Sequence, residues 1–210
     1  MKKPKVIIYT DGGCKPNPGK GGIGAVLQFE SPARAEEIYK FYPATTNNRM
    51  EIQAAISALE FLSCPHDCVI YSDSSYLING ITSWIKGWKK KGWTRGKGES
   101  VENVDLWQKL DALTQKHSID WQKVKGHSGI VGNERADYLA NLAINTQSNG
   151  NVAVEKELSI LTHYKAKESV FIVTDSHSEE LKVFDSHKKA CSYIKERNDF
   201  ELFVRECEVL

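Results

Sequence analysis

Two short apolar runs limit what this chain can fold into. "KVIIYTD" (5–11) and "CVIYSD" (68–73) are dense in β-branched residues and do not alternate with polar ones. A strand of that kind reads as buried, inside a sheet with helices packed on it. Each run nevertheless ends in an aspartate. Two buried strands that deliver carboxylates at their tips suggest a site built from carboxylates.

The surrounding pattern fills in the fold. The first strand covers 5–10. "GGIGAVLQFE" and "EEIYKFYPA" continue it as a meander, with a turn at Ser31-Pro32. "TTNNRMEIQAAISALEFL" then changes to helical period, with Met50, Ala54, Ala58 and Leu62 at every fourth position and Asn47 or Asn48 as the N-cap. "CVIYSD" is the fourth strand. "SSYLINGITSWI" is a helix capped by Ser74 or Ser75, "VDLWQKLDALTQK" another helix, "IDWQKVK" a fifth strand, and "NERADYLANLAINT" a last helix capped near Asn133. This order describes an α/β domain over 1–144, a five-stranded mixed sheet flanked by helices. Residues 145–153 ("NTQSNGN" and its neighbours) carry no core-forming pattern and read as a linker. Residues 154–210 read as a small α+β unit, ββαβ, from "SVFIVTD", "LKVFDS", "SHKKACSYIKER" and "ELFVRECEV".

Charge divides along the same line. Residues 1–145 hold 19 Lys and Arg against 15 Asp and Glu, a net of +4; residues 146–210 hold 9 against 12, a net of −3. All five tryptophans lie in the first part. The apolar run after "MKKPK" stops within about four residues, short of a signal peptide, and no run reaches the roughly 20 residues of a membrane span. Five irregularly spaced cysteines fit free thiols in a reducing compartment, so a cytoplasmic protein is expected. Cys64 and Cys68 around His66 imitate half a zinc site, but no second ligand pair follows at finger spacing.

Two further acids sit where acids are costly. Glu51 shares a helical stripe with Ala55, Ala58 and Leu62, in what reads as the first turn. Asp137 shares one with Ala140 and Ile144, facing the sheet. A carboxylate on a core-facing stripe must be paired, protonated or bound to metal. No basic cluster accompanies Asp11, Glu51, Asp73 and Asp137. Such a group suits two Mg²⁺ ions, which take a few carboxylate oxygens and leave positions for water and phosphate. A pair of ions clamps the attacking and leaving oxygens of an in-line phosphoryl displacement. Gly12 and Gly13 then let the backbone approach a substrate.

"WIKGWKKKGWTRGKG" (84–98) holds Lys86, Lys89, Lys90, Lys91, Arg95 and Lys97 without an intervening acid, interleaved with Trp84, Trp88 and Trp93. Basic residues supply phosphate affinity and aromatic ones a surface for sugars or bases. Its glycines suggest a protruding handle. His127 lies between glycines in "KGHSG", ten residues before Asp137, where it can move protons or help release product. "GKGGIG" (19–24) imitates a dinucleotide fingerprint, but its glycines precede a strand rather than open a helix.

"YTDGGCKPNPG", "TTNNRMEIQAAISAL", "YSDSSYLINGI", "WIKGWKKKGW", "NVDLWQKL" and "VKGHSGIVGNERADYLAN", in this order and spacing, resemble bacterial type 1 ribonuclease H over residues 1–145. The resemblance implies a ribonuclease H-like fold and an endonuclease that cuts the RNA strand of RNA–DNA hybrids with two Mg²⁺ ions (Mn²⁺ substituting), leaving 3′-hydroxyl and 5′-phosphate ends. It implies that Asp11, Glu51, Asp73 and Asp137 hold metal and that His127 is a mobile histidine aiding turnover. Gly12, Cys14, Asn17, Asn47 and Asn48 would touch the hybrid's minor groove, Thr46 a DNA phosphate, and Trp84 a DNA sugar. Glu134 matches an acid near the metals in some members. Ser75 departs from the pattern, which commonly has Gln there; altered substrate binding is the expected result. The resemblance stops near Asn145. The acidic tail is expected to serve a protein partner, to support folding or to dock on the catalytic domain, and the chain to act as a monomer. The competing readings are a silent hybrid-binding module, disfavoured by the presence of all four acids, and a two-metal nuclease acting on DNA. The paired asparagines, the basic handle and the Gly-His loop favour the ribonuclease.

Overall fold

The apolar run 6–10 becomes the middle of a sheet. The computed structural model describes residues 3–154, 169–174, 182–184 and 203–208. Strands β1 (Lys5–Lys15), β2 (Gly19–Glu30) and β3 (Ala33–Thr45) form the expected antiparallel meander. Strands β4 (Asp67–Ser72) and β5 (Ser118–Lys123) run parallel to β1, on its other side. Helix α1 (Asn47–Phe61) connects β3 to β4. Helices α2 (Ser75–Asn79), α3 (Ile85–Lys90) and α4 (Val104–Thr114) lie between β4 and β5, with one π-helical turn over Gly80–Trp84. Helix α5 (Val131–Thr146) follows β5.

The sheet has one more strand than expected. Residues 145–153 are not a free linker: α5 continues to Thr146, and β6 (Gly150–Val154) pairs antiparallel with β3. The full order is β5-β4-β1-β2-β3-β6. An edge strand needs backbone hydrogen bonds more than core side chains, and that is why composition concealed it. Asn149 Oδ1 accepts from Phe41 N–H at 2.7 Å, and a side chain at Gly150 would strike the Tyr39 ring.

Helix α1 is buried more widely than a single stripe. Beyond Met50, Ala54 and Ala58, it buries Ile52, Ala55, Ile56 and Leu59. The alanines let it lie close to the sheet, and α4 packs against it, with Trp107 and Leu110 of α4 fully buried in the same core. Arg49 on α1 makes a two-pronged bond to Asp105 on α4, at 3.0 and 2.6 Å. On the opposite face, α5 sits against β2 so closely that a Cβ on Gly24 would fall 2.0 Å from the Ala136 carbonyl oxygen. Gly22 and Gly24 of "GKGGIG" thus serve a helix-on-sheet contact rather than a nucleotide.

Helix boundaries moved for physical reasons. Thr46, not Asn47 or Asn48, is the N-cap of α1, and its own side chain makes no capping bond. Asn17 Oδ1 accepts the Asn47 N–H at 3.1 Å instead, so the cap is supplied from another loop. Glu51 consequently lies in the second turn. Ser74 caps α2 as expected, accepting from Leu77 N–H at 3.1 Å. Helix α5 starts at Val131, before the expected cap at Asn133, which is buried.

A second unit carries strands β7 (Ser169–Thr174), β8 (Lys182–Phe184) and β9 (Phe203–Glu208) in an antiparallel sheet of order β8-β7-β9. The hairpin and last strand expected there are present; the helix expected over 186–197 lies outside the described residues. Among the described residues no helix is long and apolar enough to cross a membrane.

The Gly24 contact yields a paired test. Gly24→Ala forces β2 and the α5 backbone apart and is expected to lose about 1–3 kcal/mol of stability by chemical denaturation. Gly87→Ala, where nothing lies within 4 Å on helix α3, is expected to gain up to about 1 kcal/mol.

A carboxylate site at the end of the central strands

The site begins where β1 and β4 part. Their parallel pairing ends at Tyr9 opposite Tyr71, and β4 ends at Ser72. Strand β1 does not stop with it, as the sequence suggested, but runs on beside β2 to Lys15. Asp11 therefore leaves a continuous strand just past the parting point, and Asp73 follows β4 directly. Asp11 lies opposite Gly24 in the register, so its side chain is on the α5 face of the sheet.

Glu51 arrives from the other side. A Cβ on Gly12 would lie 2.3 Å from the Met50 carbonyl carbon and 2.5 Å from the Glu51 nitrogen. The missing side chain at Gly12 lets α1 touch β1. This corrects the expectation that Gly12 is open for a substrate's approach: it is buried, and α1 fills the space. Carboxylate oxygens of Asp11, Glu51 and Asp73 all lie within 4.8 Å of one another. Asp137, half-buried on α5, reaches Asp11 closely enough that the two share a hydrogen bond.

Crowding sets the protonation. Burial raises the Glu51 carboxyl to about 9, and the charges of Asp11 and Asp73 add to it; hydrogen bonds from Ser74 and Asn47 oppose the rise. Asp11 is raised to about 7, by burial first and by Asp73 next, against the Gly12 N–H that donates to its Oδ1 at 2.8 Å. Glu51 Oε2 is buried without a hydrogen-bond donor from the protein, while Asn47 Nδ2 donates to Oε1 at 3.3 Å. An orphaned buried oxygen among mutually repelling carboxylates is the environment a hard divalent cation relieves. The donor set, carboxylate oxygens alone, fits such a cation.

One supporting residue was not foreseen. Asn141, one turn after Asp137 on α5, donates from Nδ2 to Asp137 Oδ1 at 2.7 Å and accepts from Lys15 Nζ at 2.8 Å. The spacing of four residues in "DYLAN" was the available signal.

The expected substrate contacts divide. Asn17 is exposed, and Thr46, Asn47 and Asn48 are half-exposed around the start of α1. Cys14 is not: it is 7% exposed, and its thiol faces the carbonyls of Pro16 and Thr45 at 3.1 and 3.3 Å. It holds the turn and offers little to a ligand. In the basic segment only Trp84 is an exposed tryptophan, at 41%. Trp88 and Trp93 are packed against the core, with Trp88 5.4 Å from Trp107, so they anchor the handle. Lys86, Lys90 and Lys91 face solvent; Lys89, also exposed, bonds Asp111 at 2.7 Å. Ser75 is exposed at the start of α2. His127 is exposed between β5 and α5 with a left-handed backbone, φ 51°. Cys64 is exposed and Cys68 buried, and the His66 ring bonds the Cys64 carbonyl at 2.7 Å, not an arrangement of converging ligands.

A mixed sheet whose parting strands and flanking helices gather carboxylates defines the ribonuclease H-like class of α/β proteins. The ribonuclease H family model matches residues 3–145. The chain is 56% identical over 139 residues to a ribonuclease H of Alcanivorax borkumensis, covering 66% of this chain and 91% of that protein. It is 54% identical over 143 residues to one of Francisella tularensis subsp. novicida, covering 68% and 93%. Among solved structures, LC9-RNase H1, described as a type 1 RNase H with the type 2 active-site motif, is 29% identical with a TM-score of 0.67, over 76% of this chain and 82% of that one. LC11-RNase H1, solved in complex with an RNA/DNA hybrid, is 26% identical with a TM-score of 0.52, over 68% and 98%. The chain belongs to the ribonuclease H family.

Two outcomes follow from this geometry. Raised carboxyl pKa values mean that the folded protein binds protons the unfolded chain releases, so without metal its stability is full below about pH 4.5 for these groups. That stability is lost as pH rises through about 7 and then 9. In EDTA the melting temperature is therefore expected to fall over this window, and added Mg²⁺ or Glu51→Gln to flatten the decline. Asn141→Ala is expected to weaken Mg²⁺ affinity about 10- to 100-fold, measured by Mg²⁺-dependent thermal shift.

Proposed function

We propose that this chain hydrolyses the RNA strand of RNA–DNA hybrids as a metal-dependent endonuclease. The carrying observation is the convergence of Asp11, Glu51 and Asp73 within 4.8 Å, with Glu51 Oε2 lacking a donor. The neighbour LC11-RNase H1, solved with an RNA/DNA hybrid, supports the substrate.

Asp11, Glu51, Asp73 and Asp137 are the groups that hold two Mg²⁺ ions, with Mn²⁺ as a substitute. Held there, divalent ions would supply a lower pKa for an attacking water and neutralisation of charge at the phosphate. Water oxygen attacks phosphorus, the P–O3′ bond breaks, and the products carry 3′-hydroxyl and 5′-phosphate ends. The protein's part is alignment. Gly12 brings α1 against β1, so Glu51 meets Asp11 without a flexible connection. Asn141 steadies Asp137, and Asn47 steadies Glu51 from the position that also borders the substrate. His127, on its exposed loop, takes up or returns a proton as product leaves.

Asn17, Thr46, Asn47 and Asn48 border the groove that reads the hybrid, and Trp84 supports the DNA sugar. Lys86, Lys90 and Lys91 engage DNA-strand phosphates, with Lys89 shared between phosphate and Asp111. Selectivity follows from needing a 2′-hydroxyl near the carboxylates and a DNA strand at the handle. The chain works as a monomer in the cytoplasm, and the acidic tail, net −3, serves a protein partner.

The test is cleavage of a labelled RNA–DNA hybrid, beside duplex RNA and duplex DNA, in Mg²⁺ and in EDTA. Metal-dependent cleavage of the hybrid's RNA strand alone is expected. Asp11→Asn is expected to lose at least ~10³-fold in kcat, several kcal/mol of transition-state stabilisation, while hybrid binding persists. A variant that cleaves at the wild-type rate would overturn the site.

A further inference from the structure

Ser75 and Lys123 are joined. Lys123 Nζ donates to Ser75 Oγ at 2.6 Å, across 48 positions of sequence. Both residues are exposed. Lys123 ends β5, and its register partner on β4 is Ser72, the residue before Asp73. Val124 N–H continues the pairing to the Ser72 carbonyl at 3.1 Å. Alternation along β5 puts Lys123 on the side where Trp121 packs against the core. From there its side chain crosses to the first residue of α2, two positions past Asp73. Three residues beyond Lys123, Gly126 lies against the site: a Cβ there would fall 2.6 Å from Asp73 Oδ2.

The ammonium is thus held at the rim of the carboxylate site, and among the described residues it has no acid partner. A hydroxyl leaves it its full charge and two further N–H donors. A lysine on an open surface gains little from a fixed position, because holding its long side chain costs rotamer entropy. A fixed ammonium beside a polyanion's track has a use for that position.

We propose that Lys123, positioned by Ser75, is a substrate-binding residue that contacts a backbone phosphate of the hybrid next to the cleavage site. This rests on reading the chain as a hybrid nuclease. Ser75 then does more than shorten the glutamine common at this position. Its hydroxyl exchanges a side-chain amide for a lysine recruited from β5, and the contact becomes ionic.

The test measures hybrid binding by fluorescence anisotropy in EDTA over a series of salt concentrations, with steady-state cleavage in Mg²⁺ alongside. Lys123→Ala is expected to weaken binding for every hybrid sequence, to raise KM with kcat unchanged, and to reduce the slope of log affinity against log salt by about 1. Lys123→Arg is expected to keep the slope. Ser75→Ala is expected to produce part of the loss alone and none in the Lys123→Ala background, since the residues act as a pair. An unchanged salt slope in Lys123→Ala, a change confined to kcat, or additive Ser75 and Lys123 effects would each overturn the proposal. A wild-type protein that neither binds nor cleaves hybrid would instead bring down the functional reading on which it stands.

Discussion

The absence of a side chain at Gly12 is the constraint on which the site depends. The α1 backbone occupies the place where a Cβ would stand. Without that approach the Glu51 carboxylate would remain on the far side of the sheet from Asp11. Three acids would then be a dispersed surface feature instead of a cluster, and their mutual repulsion would not arise. The rest of the structure maintains this contact. Helix α4 packs against α1, Arg49 and Asp105 fix its start, and Asn17 caps it from the β1–β2 turn.

Electrostatic strain is the consequence of that closeness. A folded protein without metal must hold protons on Asp11 and Glu51 at pH values where free carboxylates have none. Core packing sustains an arrangement that its own charges oppose, and a cation turns the same repulsion into affinity. Carboxylate sites of this kind store part of their binding free energy in the scaffold.

The fold was legible in the sequence wherever local pattern and burial agree. The runs ending at Asp11 and Asp73 became adjacent strands, and Glu51 and Asp137 stood out because acids do not belong on stripes of Ala and Ile. What escaped were features that depend on partners distant in sequence. Asn17 as the cap of α1 and β6 beside β3 come from pairings that periodicity does not encode; Asn141 supporting Asp137 is a local pair whose spacing of four was there to be read. Trp88 and Trp93 were misread for a related reason: a tryptophan beside lysines looks the same whether it awaits a sugar or braces a helix. Cys14 is a similar case, since Asn17 in the same motif is exposed while the Cys14 thiol turns inward.

Strand β6 also changes the way the sheet ends. An unpaired edge is a template on which another chain can add a strand. Pairing along 150–154 covers the edge of β3 and leaves β5 as the opposite boundary of the catalytic sheet. That boundary is six residues long and carries exposed Asp120, Gln122 and Lys123. The other boundary is now β6 itself, five residues long, so both edges of this sheet are short, which is one way a protein limits edge-to-edge aggregation.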